Sequence, residues 1–114
     1  MEPRLQAADL GFFAALAMAG SLCWTTAAWA SNHVVSEKNK QFSSSSLKIK
    51  TGDTVEFRNE DTVYHNVFSL SDALTFDLGN YGPSEVRKVT FTKPGKVMVE
   101  CAVHRDEKMS IEVQ

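Results

Sequence analysis

The chain has 114 residues, a formal net charge of −2 and 23% charged side chains. This balance provides neither a basic surface for nucleic acid nor a block of like charges typical of a disordered tail. Of the two cysteines, Cys23 lies in an apolar N-terminal segment, which leaves Cys101 as the one cysteine of the remaining chain. A lone cysteine cannot form an internal disulfide, so a disulfide-stabilised scaffold is excluded.

The N-terminal segment is typical of an exported protein. Residues 11–30 carry no charged side chain, and the run ends in Ala28-Trp29-Ala30, a small-x-small cleavage motif. We therefore predict that residues 1–30 are a secretory signal peptide, cleaved before Ser31, and that the protein is periplasmic. An uncleaved membrane anchor is the alternative, because an uncharged run of about 20 residues can span a bilayer. In both cases residues 31–114 are expected to form a single domain outside the cytoplasm.

After Ser31, short runs of alternating apolar and polar residues are separated by turn residues, a pattern that indicates β-strands. The runs lie at 34–35, 47–50, 54–58, 64–70, 88–92, 97–102 and 110–113. Residues 71–84 interrupt the pattern, and we expect turns there, with Leu74 and Phe76 covering the core and room for one helical turn. Seven or eight strands with one apolar face each predict an all-β domain, a Greek-key β-sandwich, with a small barrel as the alternative.

Four side chains in this strand pattern carry atoms that bind metals. Cys101 has the same parity as Val99, so its thiol should point into the sandwich. His104 and Met109 follow before the last strand, and His65 lies in an upstream strand. Two imidazoles, a thiolate and a weak thioether are the ligands of a trigonal type 1 copper site. Zinc is the alternative metal, although a structural zinc site would use more thiolates and would not need the methionine.

Four motifs connect the chain to a known family. They are residues 52–57 with the sequence Gly-Asp-Thr-Val-Glu-Phe, the His65-Asn66 pair, Pro94-Gly95, and Cys101-x2-His104-x4-Met109. With these motifs, residues 33–113 resemble a cupredoxin, the small blue-copper family that includes plastocyanin, pseudoazurin and amicyanin. The resemblance implies that one copper ion, as Cu(I) or Cu(II), is bound by His65, Cys101, His104 and Met109.

The resemblance also implies roles around the copper. Asn66 would tie the two ligand loops together, with its backbone N–H reaching the ligand sulfur, and His104 would expose one edge for electron exchange. The ligand loop departs from the family pattern, because residues 105–108 read Arg-Asp-Glu-Lys where proline, glycine and apolar residues are common, and Glu100 occupies a position that is often aromatic. We expect a charged, less rigid rim that weakens the usual apolar docking surface and eases copper exchange.

A second copper site is a hypothesis for the cleaved N-terminus, which would read Ser31-Asn32-His33. A histidine at the third position of a free terminus can surround Cu(II) with the amine, two backbone amides and the imidazole, the tetragonal arrangement that Cu(II) prefers. The alternative is that His33 is an ordinary residue opening the first strand. This second Cu(II) is expected to bind more weakly than the first.

The ligand set predicts a type 1 copper protein, blue or green, that carries single electrons between redox partners such as a cytochrome or an oxidoreductase. We expect a monomer and no enzyme, since the sequence shows no serine–histidine–acid arrangement, phosphate loop or carboxylate pair that would support catalysis. The alternative is a copper-handling protein that binds, buffers or delivers copper in copper tolerance with an exporter or chaperone. A metal-free adhesion module would remain only if the purified protein held no metal.

Overall fold

The computed structural model describes Ser21 and residues 29–114, so the predicted signal peptide, residues 1–30, and its anchor alternative fall almost wholly outside the described residues. Within the described part, no helix is long and apolar enough to cross a membrane. The same part of the chain forms nine strands. They are β1 Asn32–Lys38, β2 Gln41–Phe42, β3 Ser46–Ile49, β4 Thr54–Asn59, β5 His65–Ser71, β6 Leu74–Tyr81, β7 Val86–Thr90, β8 Gly95–Glu100 and β9 Lys108–Val113.

The nine strands form two sheets. One sheet has the strand order β2-β1-β4-β7 and the other has the order β3-β9-β8-β5-β6. The pairs β1–β4 and β3–β9 are parallel, and the other pairs are antiparallel. The predicted all-β sandwich is therefore confirmed, with nine strands among the described residues where seven or eight were expected, and with two separate sheets where a barrel would have one closed sheet.

The core follows the period-two pattern read from the sequence. Along β8, Val97 and Val99 are fully buried, whereas Met98 lies at the surface. Cys101, the residue after the end of β8, keeps the inward parity and is buried. Because successive side chains of a strand point to opposite faces, each strand contributes one apolar face to the core. Full burial of one valine contributes about 1.5–3 kcal/mol, so these positions fix the strand register and, with it, the direction of the thiol.

The prediction of turns over residues 71–84 was wrong for most of that segment, which forms β6. Leu74, Phe76 and Leu78 alternate with polar residues and pack against the core, and β6 pairs antiparallel with β5. The glycine that suggested a turn, Gly79, has a φ of 74°. It lies where the register of β5 and β6 shifts opposite Val67, so its left-handed backbone belongs to a bulge within a strand.

Three neighbouring strands of the five-stranded sheet have a terminus at the same end of the sheet. β5 begins at His65, β8 ends at Glu100, and β9 begins at Lys108. Phe68 of β5 pairs with Glu100, which places the start of β5 beside the end of β8. The loop 101–107 between β8 and β9 therefore lies next to His65, although the two are far apart in sequence.

Candidate metal centre

These strand ends bring three of the four predicted ligands together. Cys101 Sγ lies 3.8 Å from His65 Nδ1 and 3.9 Å from His104 Nδ1. Two atoms bonded to one first-row ion at about 2.0–2.3 Å stand about 3–4 Å apart. The sulfur and the two nitrogens are thus spaced for one shared ion, and the donor set of one thiolate and two imidazoles fits copper.

The Cys101 thiol is buried, and burial raises its pKa above the ordinary value. The form that binds a metal is the thiolate, so a proton must leave when a metal binds. A cation at this position replaces that proton and removes the cost of burying the negative sulfur. The thiol is therefore suited to bind a metal and is shielded from solvent when no metal is bound.

The role expected of Asn66 is confirmed. Its backbone N–H donates to Cys101 Sγ at 3.4 Å, and its side-chain oxygen accepts from the backbone N–H of Ala102 at 3.3 Å. Its side-chain nitrogen donates to Asp77 Oδ1 at 3.0 Å. One asparagine therefore links β5, β6 and the loop 101–107, and it gives the Cys101 sulfur a fixed hydrogen bond of the kind that tunes the potential of a metal bound to such a sulfur.

His65 is oriented by a residue that the sequence did not reveal. Asp61 Oδ2 lies 2.9 Å from His65 Nε2. The hydrogen bond from His65, followed by that from the backbone N–H of Lys40, lowers the pKa of Asp61 to about 2. The ionised carboxylate favours the tautomer with the proton on Nε2, which leaves the Nδ1 lone pair free to face Cys101. Asp61 precedes His65 by only four residues, but its loop gave no periodic signal.

Met109, the fourth predicted ligand, lies in the hydrophobic core. It is 1% exposed, and it pairs with Val99 in the β8–β9 ladder. Its role as a copper ligand stays a prediction, because its burial would serve either a ligand or a core residue.

The structure adds Glu107 to the centre. We expected residues 105–108 to form an exposed charged rim, but Glu107 is only 2% exposed, whereas Arg105, Asp106 and Lys108 do lie at the surface. Glu107 Oε2 lies 3.0 Å from His65 Nδ1 and 3.7 Å from His104 Nδ1. The ligand atoms of His65, Cys101, His104 and Glu107 all lie within 4.8 Å of one another.

A second buried carboxylate, Glu37, reaches the same place from β1 of the other sheet. Its Oε2 lies 3.0 Å from His65 Nδ1, and its Oε1 accepts a hydrogen bond from the Tyr81 hydroxyl. Burial and the neighbouring Glu107 raise the pKa of Glu37 to about 9. The sequence suggested no carboxylate pair, yet the fold creates one. The available signal was parity, since Glu37 lies on the same face of β1 as the buried Val35.

The hypothetical second copper site lies at the other end of β1. The backbone N–H of Ser31 donates to Asp53 Oδ1 at 2.8 Å, and His33 Nε2 lies 2.9 Å from Asp53 Oδ2. Asn32 and His33 pair with β4, so this segment is extended, whereas a four-nitrogen chelate would need it to fold around the ion. The second Cu(II) site therefore stays a prediction that requires the start of β1 to rearrange.

Comparison with known proteins supports a copper-binding function for this chain. Residues 30–114 match the family described as copper binding proteins, plastocyanin/azurin family. A search of curated proteins gives no match.

Three similar solved structures show the same fold. A variant of amicyanin in the Cu(I) state has 24% identity and a TM-score of 0.68, covering 78% of this chain and 86% of its own. A purple cupredoxin from Nitrosopumilus maritimus has 19% identity and a TM-score of 0.65, covering 72% of this chain and 99% of its own. A copper-containing nitrite reductase from Thermus scotoductus has 29% identity and a TM-score of 0.68 over 72% of this chain. This chain spans only 22% of that enzyme. The family match, which extends over the whole described domain, shows that this chain belongs to the plastocyanin/azurin family of copper-binding proteins, the cupredoxins.

Proposed function

We propose that this protein is an exported type 1 copper protein that carries single electrons between redox partners. The observation that carries the proposal is the spacing of Cys101 Sγ, 3.8 and 3.9 Å from two imidazole nitrogens, at the ends of paired strands. Copper bound there would supply a one-electron couple, since thiolate and imidazole ligands suit both Cu(I) and Cu(II). No catalytic activity is proposed.

The surroundings of these ligands favour an unchanged geometry in both oxidation states. His65 is completely buried and oriented by Asp61, and Cys101 is held by the backbone of Asn66. Side chains fixed by packing and hydrogen bonds keep their positions when the charge of a bound ion changes. A small structural change between oxidation states is what rapid electron transfer requires.

His104 is the ligand best placed for exchange with a partner. Its side chain is 18% exposed, whereas that of His65 is completely buried. Val103 and Tyr64, each next to a ligand in the sequence, are exposed. A redox protein such as a cytochrome or an oxidoreductase would meet an apolar contact there, bordered by the charges of Arg105 and Asp106.

The test is optical and direct. Purified protein loaded with Cu(II) should show an intense visible charge-transfer band from thiolate to copper, and Cys101→Ala should abolish it. The reduced protein should then transfer its electron rapidly to an oxidised cytochrome. A colourless Cu(II) adduct would contradict the proposal.

Copper handling is the second candidate, and the loop favours it. Residues 101–107 contain neither proline nor glycine, and Arg105 and Asp106 are exposed. A loop of this composition is less constrained than a proline-rich one and would let the metal leave more easily. Ready transfer of Cu(I) to a competing chelator, together with copper-sensitive cells after gene deletion, would favour handling, whereas retention of the metal would favour the electron carrier.

Export to the periplasm is the remaining element of the proposal. It is supported by the uncharged run 11–30 and by the Ala28-Trp29-Ala30 motif. N-terminal sequencing of the protein from the periplasmic fraction should give Ser31 as the first residue. Recovery of an intact N-terminus from the cytoplasm would contradict it.

A further inference from the structure

Glu107 is a buried carboxylate at the metal centre that is neither one of the four predicted ligands nor a residue that orients them. It is 2% exposed, and apart from the neighbouring buried carboxyl group of Glu37, neither of its carboxylate oxygens has a hydrogen-bond partner among the described residues. Burying a carboxylate without hydrogen bonds has a large free-energy cost, which a nearby cation can offset. The position of this carboxylate therefore calls for a positively charged group close to it.

The free oxygen of Glu107 points at the copper ligands. Its Oε2 is 3.0 Å from His65 Nδ1, yet no aligned donor reaches it, because the other ring nitrogen of His65 faces Asp61. Two lone pairs at this separation repel each other unless a proton or a metal ion lies between them. The same oxygen is 3.7 Å from His104 Nδ1, so it faces both imidazoles.

The backbone of the loop, and not the carboxylate, holds Glu107 in this position. The backbone N–H of Glu107 donates to the carbonyl of His104 at 3.0 Å, and its carbonyl accepts from the backbone N–H of Cys101 at 3.2 Å. These bonds close the loop between two ligands, and they remain when the side chain is changed. Substitution at 107 can therefore test the carboxylate without opening the loop.

Glu37 is less suited to reach the metal. One of its oxygens accepts a hydrogen bond from the Tyr81 hydroxyl, and its carboxylate is outside the group of four residues whose ligand atoms all lie within 4.8 Å. Of the two buried carboxylates, Glu107 is thus the one with no hydroxyl or amide donor and the one that belongs to the compact group.

We propose that the carboxylate of Glu107 is a direct copper ligand that joins His65, Cys101 and His104. The proposal rests on the proposed copper function. An anionic oxygen ligand favours Cu(II) over Cu(I), so Glu107 should tighten Cu(II) binding and lower the reduction potential. The proposal is independent of Met109, whose sulfur can be present or absent from the coordination sphere without affecting it.

The experiment compares the purified protein with Glu107→Gln and with Asp106→Asn as a matched control. Asp106 is the neighbouring residue, its side chain is exposed, and its substitution removes the same charge. Three quantities are measured for each protein, namely Cu(II) and Cu(I) affinity by chelator competition, the Cu(II) electron paramagnetic resonance spectrum, and the reduction potential.

Glu107→Gln should weaken Cu(II) binding relative to Cu(I) binding by at least about tenfold, because residues that only orient ligands already account for about 10–100-fold in affinity. It should also raise the potential and change the copper hyperfine splitting. Asp106→Asn should stay close to wild type in all three. Glu107→Met, a second variant, should retain copper and raise the potential, since a thioether favours Cu(I).

Unfolding of the metal-free proteins separates ligation from a structural role. Glu107→Gln removes a buried negative charge but keeps an oxygen that can accept a hydrogen bond from Glu37, so the metal-free variant should be as stable as wild type or more stable. A loss of metal-free stability with an unchanged resonance spectrum would overturn the proposal. An unchanged spectrum and unchanged affinity in a folded Glu107→Gln variant would do the same.

The failure of this proposal is distinguishable from that of the proposed function. If wild-type protein binds Cu(II) without the visible thiolate band, the electron-carrier proposal is overturned, while resonance and affinity still decide whether Glu107 is a ligand. If wild-type protein binds no copper, both are overturned.

Discussion

Two buried carboxylates lie near opposite ends of β1 and have opposite electrostatic surroundings. Asp53 is 3% exposed and accepts hydrogen bonds from the backbone N–H groups of Ser31 and Lys50 and from the His33 ring, which together lower its pKa to about 2. Glu37 is completely buried, and burial together with the neighbouring Glu107 raises its pKa to about 9. Burial alone therefore does not decide the charge of a carboxylate in this protein; the available hydrogen-bond donors do.

The difference separates a structural site from a functional one. At Asp53, three donors stabilise the ionised carboxylate and join the start of β1 to the turn before β4. At the other end, Glu37 and Glu107 keep free oxygens beside His65. Two buried carboxyl groups that share a proton beside a thiol and two imidazoles can exchange that proton for a cation, and this donor set fits copper.

Copper binding should give the largest change in stability, and the binding site responsible should be the one at the Glu37 end of β1. At a copper concentration of about 1,000 times Kd, binding to the folded state alone should stabilise the protein by about 4 kcal/mol, which raises Tm by roughly 15–30 °C in a domain of this size. Circular dichroism melting with and without Cu(II) measures it. His33→Ala should keep the shift, and Cys101→Ala should lose most of it. An equal shift in Cys101→Ala would mean that the stabilising copper binds elsewhere.

Asp53→Asn, at the opposite end of β1, should give the second largest change in stability. An amide nitrogen cannot accept a hydrogen bond, so at least one of the donors from Ser31, Lys50 and His33 loses its acceptor and the protein becomes less stable at pH 7. The lowered pKa means that Asp53 stabilises the fold above about pH 4 and that this contribution disappears as the pH falls towards 2. Denaturant unfolding of wild type should therefore weaken over this range, and the variant should weaken less. A parallel pH dependence would contradict this account.

Glu37→Gln should act in the opposite direction in metal-free protein. Between about pH 4.5 and 9 the folded state keeps a proton that the unfolded state releases, so wild-type stability falls as the pH rises through this interval. Glutamine needs no proton to stay neutral when it is buried, and its oxygen can still accept a hydrogen bond from Tyr81. We therefore expect the free energy of unfolding to rise by about 1–3 kcal/mol near neutral pH. Urea unfolding in a metal chelator measures it. A loss of stability at pH 7 would show that Glu37 is stabilising as an anion.

Lys108→Gln should give the smallest change in stability, because the Lys108 charge belongs neither to the Asp53 site nor to the pair of buried carboxylates, Glu37 and Glu107. Lys108 Nζ is 3.9 Å from Glu100 Oε1 at the surface, and exposed pairs of this kind contribute about 0–1 kcal/mol. The variant should keep the optical spectrum of the copper protein and change mainly the salt dependence of the reaction with an acidic or basic partner. A shifted charge-transfer band would show that the rim is coupled to the metal.

Much of the fold could be predicted, for a physical reason. Strands with one buried face have a period of two, so Val97, Val99 and Cys101 disclosed both a strand and the inward direction of the thiol. The same reasoning would have identified β6, where Leu74 and Phe76 alternate with polar residues, had Gly79 not been interpreted as a turn. A glycine in a bulge and a glycine in a turn have the same local signature, and only strand pairing tells them apart.

By itself, the sequence determined the chemistry of the centre: the thiolate, the two imidazoles, their spacing in the ligand loop, and the role of Asn66 through family resemblance. The tertiary structure decided what surrounds them. Glu37 and Tyr81 are 44 residues apart and hydrogen-bonded across the two sheets, and Glu107 turns inward from a loop that is otherwise charged and exposed. Strand parity indicates the inward direction of Glu37, but neither its Tyr81 partner nor the inward turn of Glu107 follows from local pattern, because the burial of a charged side chain depends on the packing of distant strands and on the cation that the site can hold.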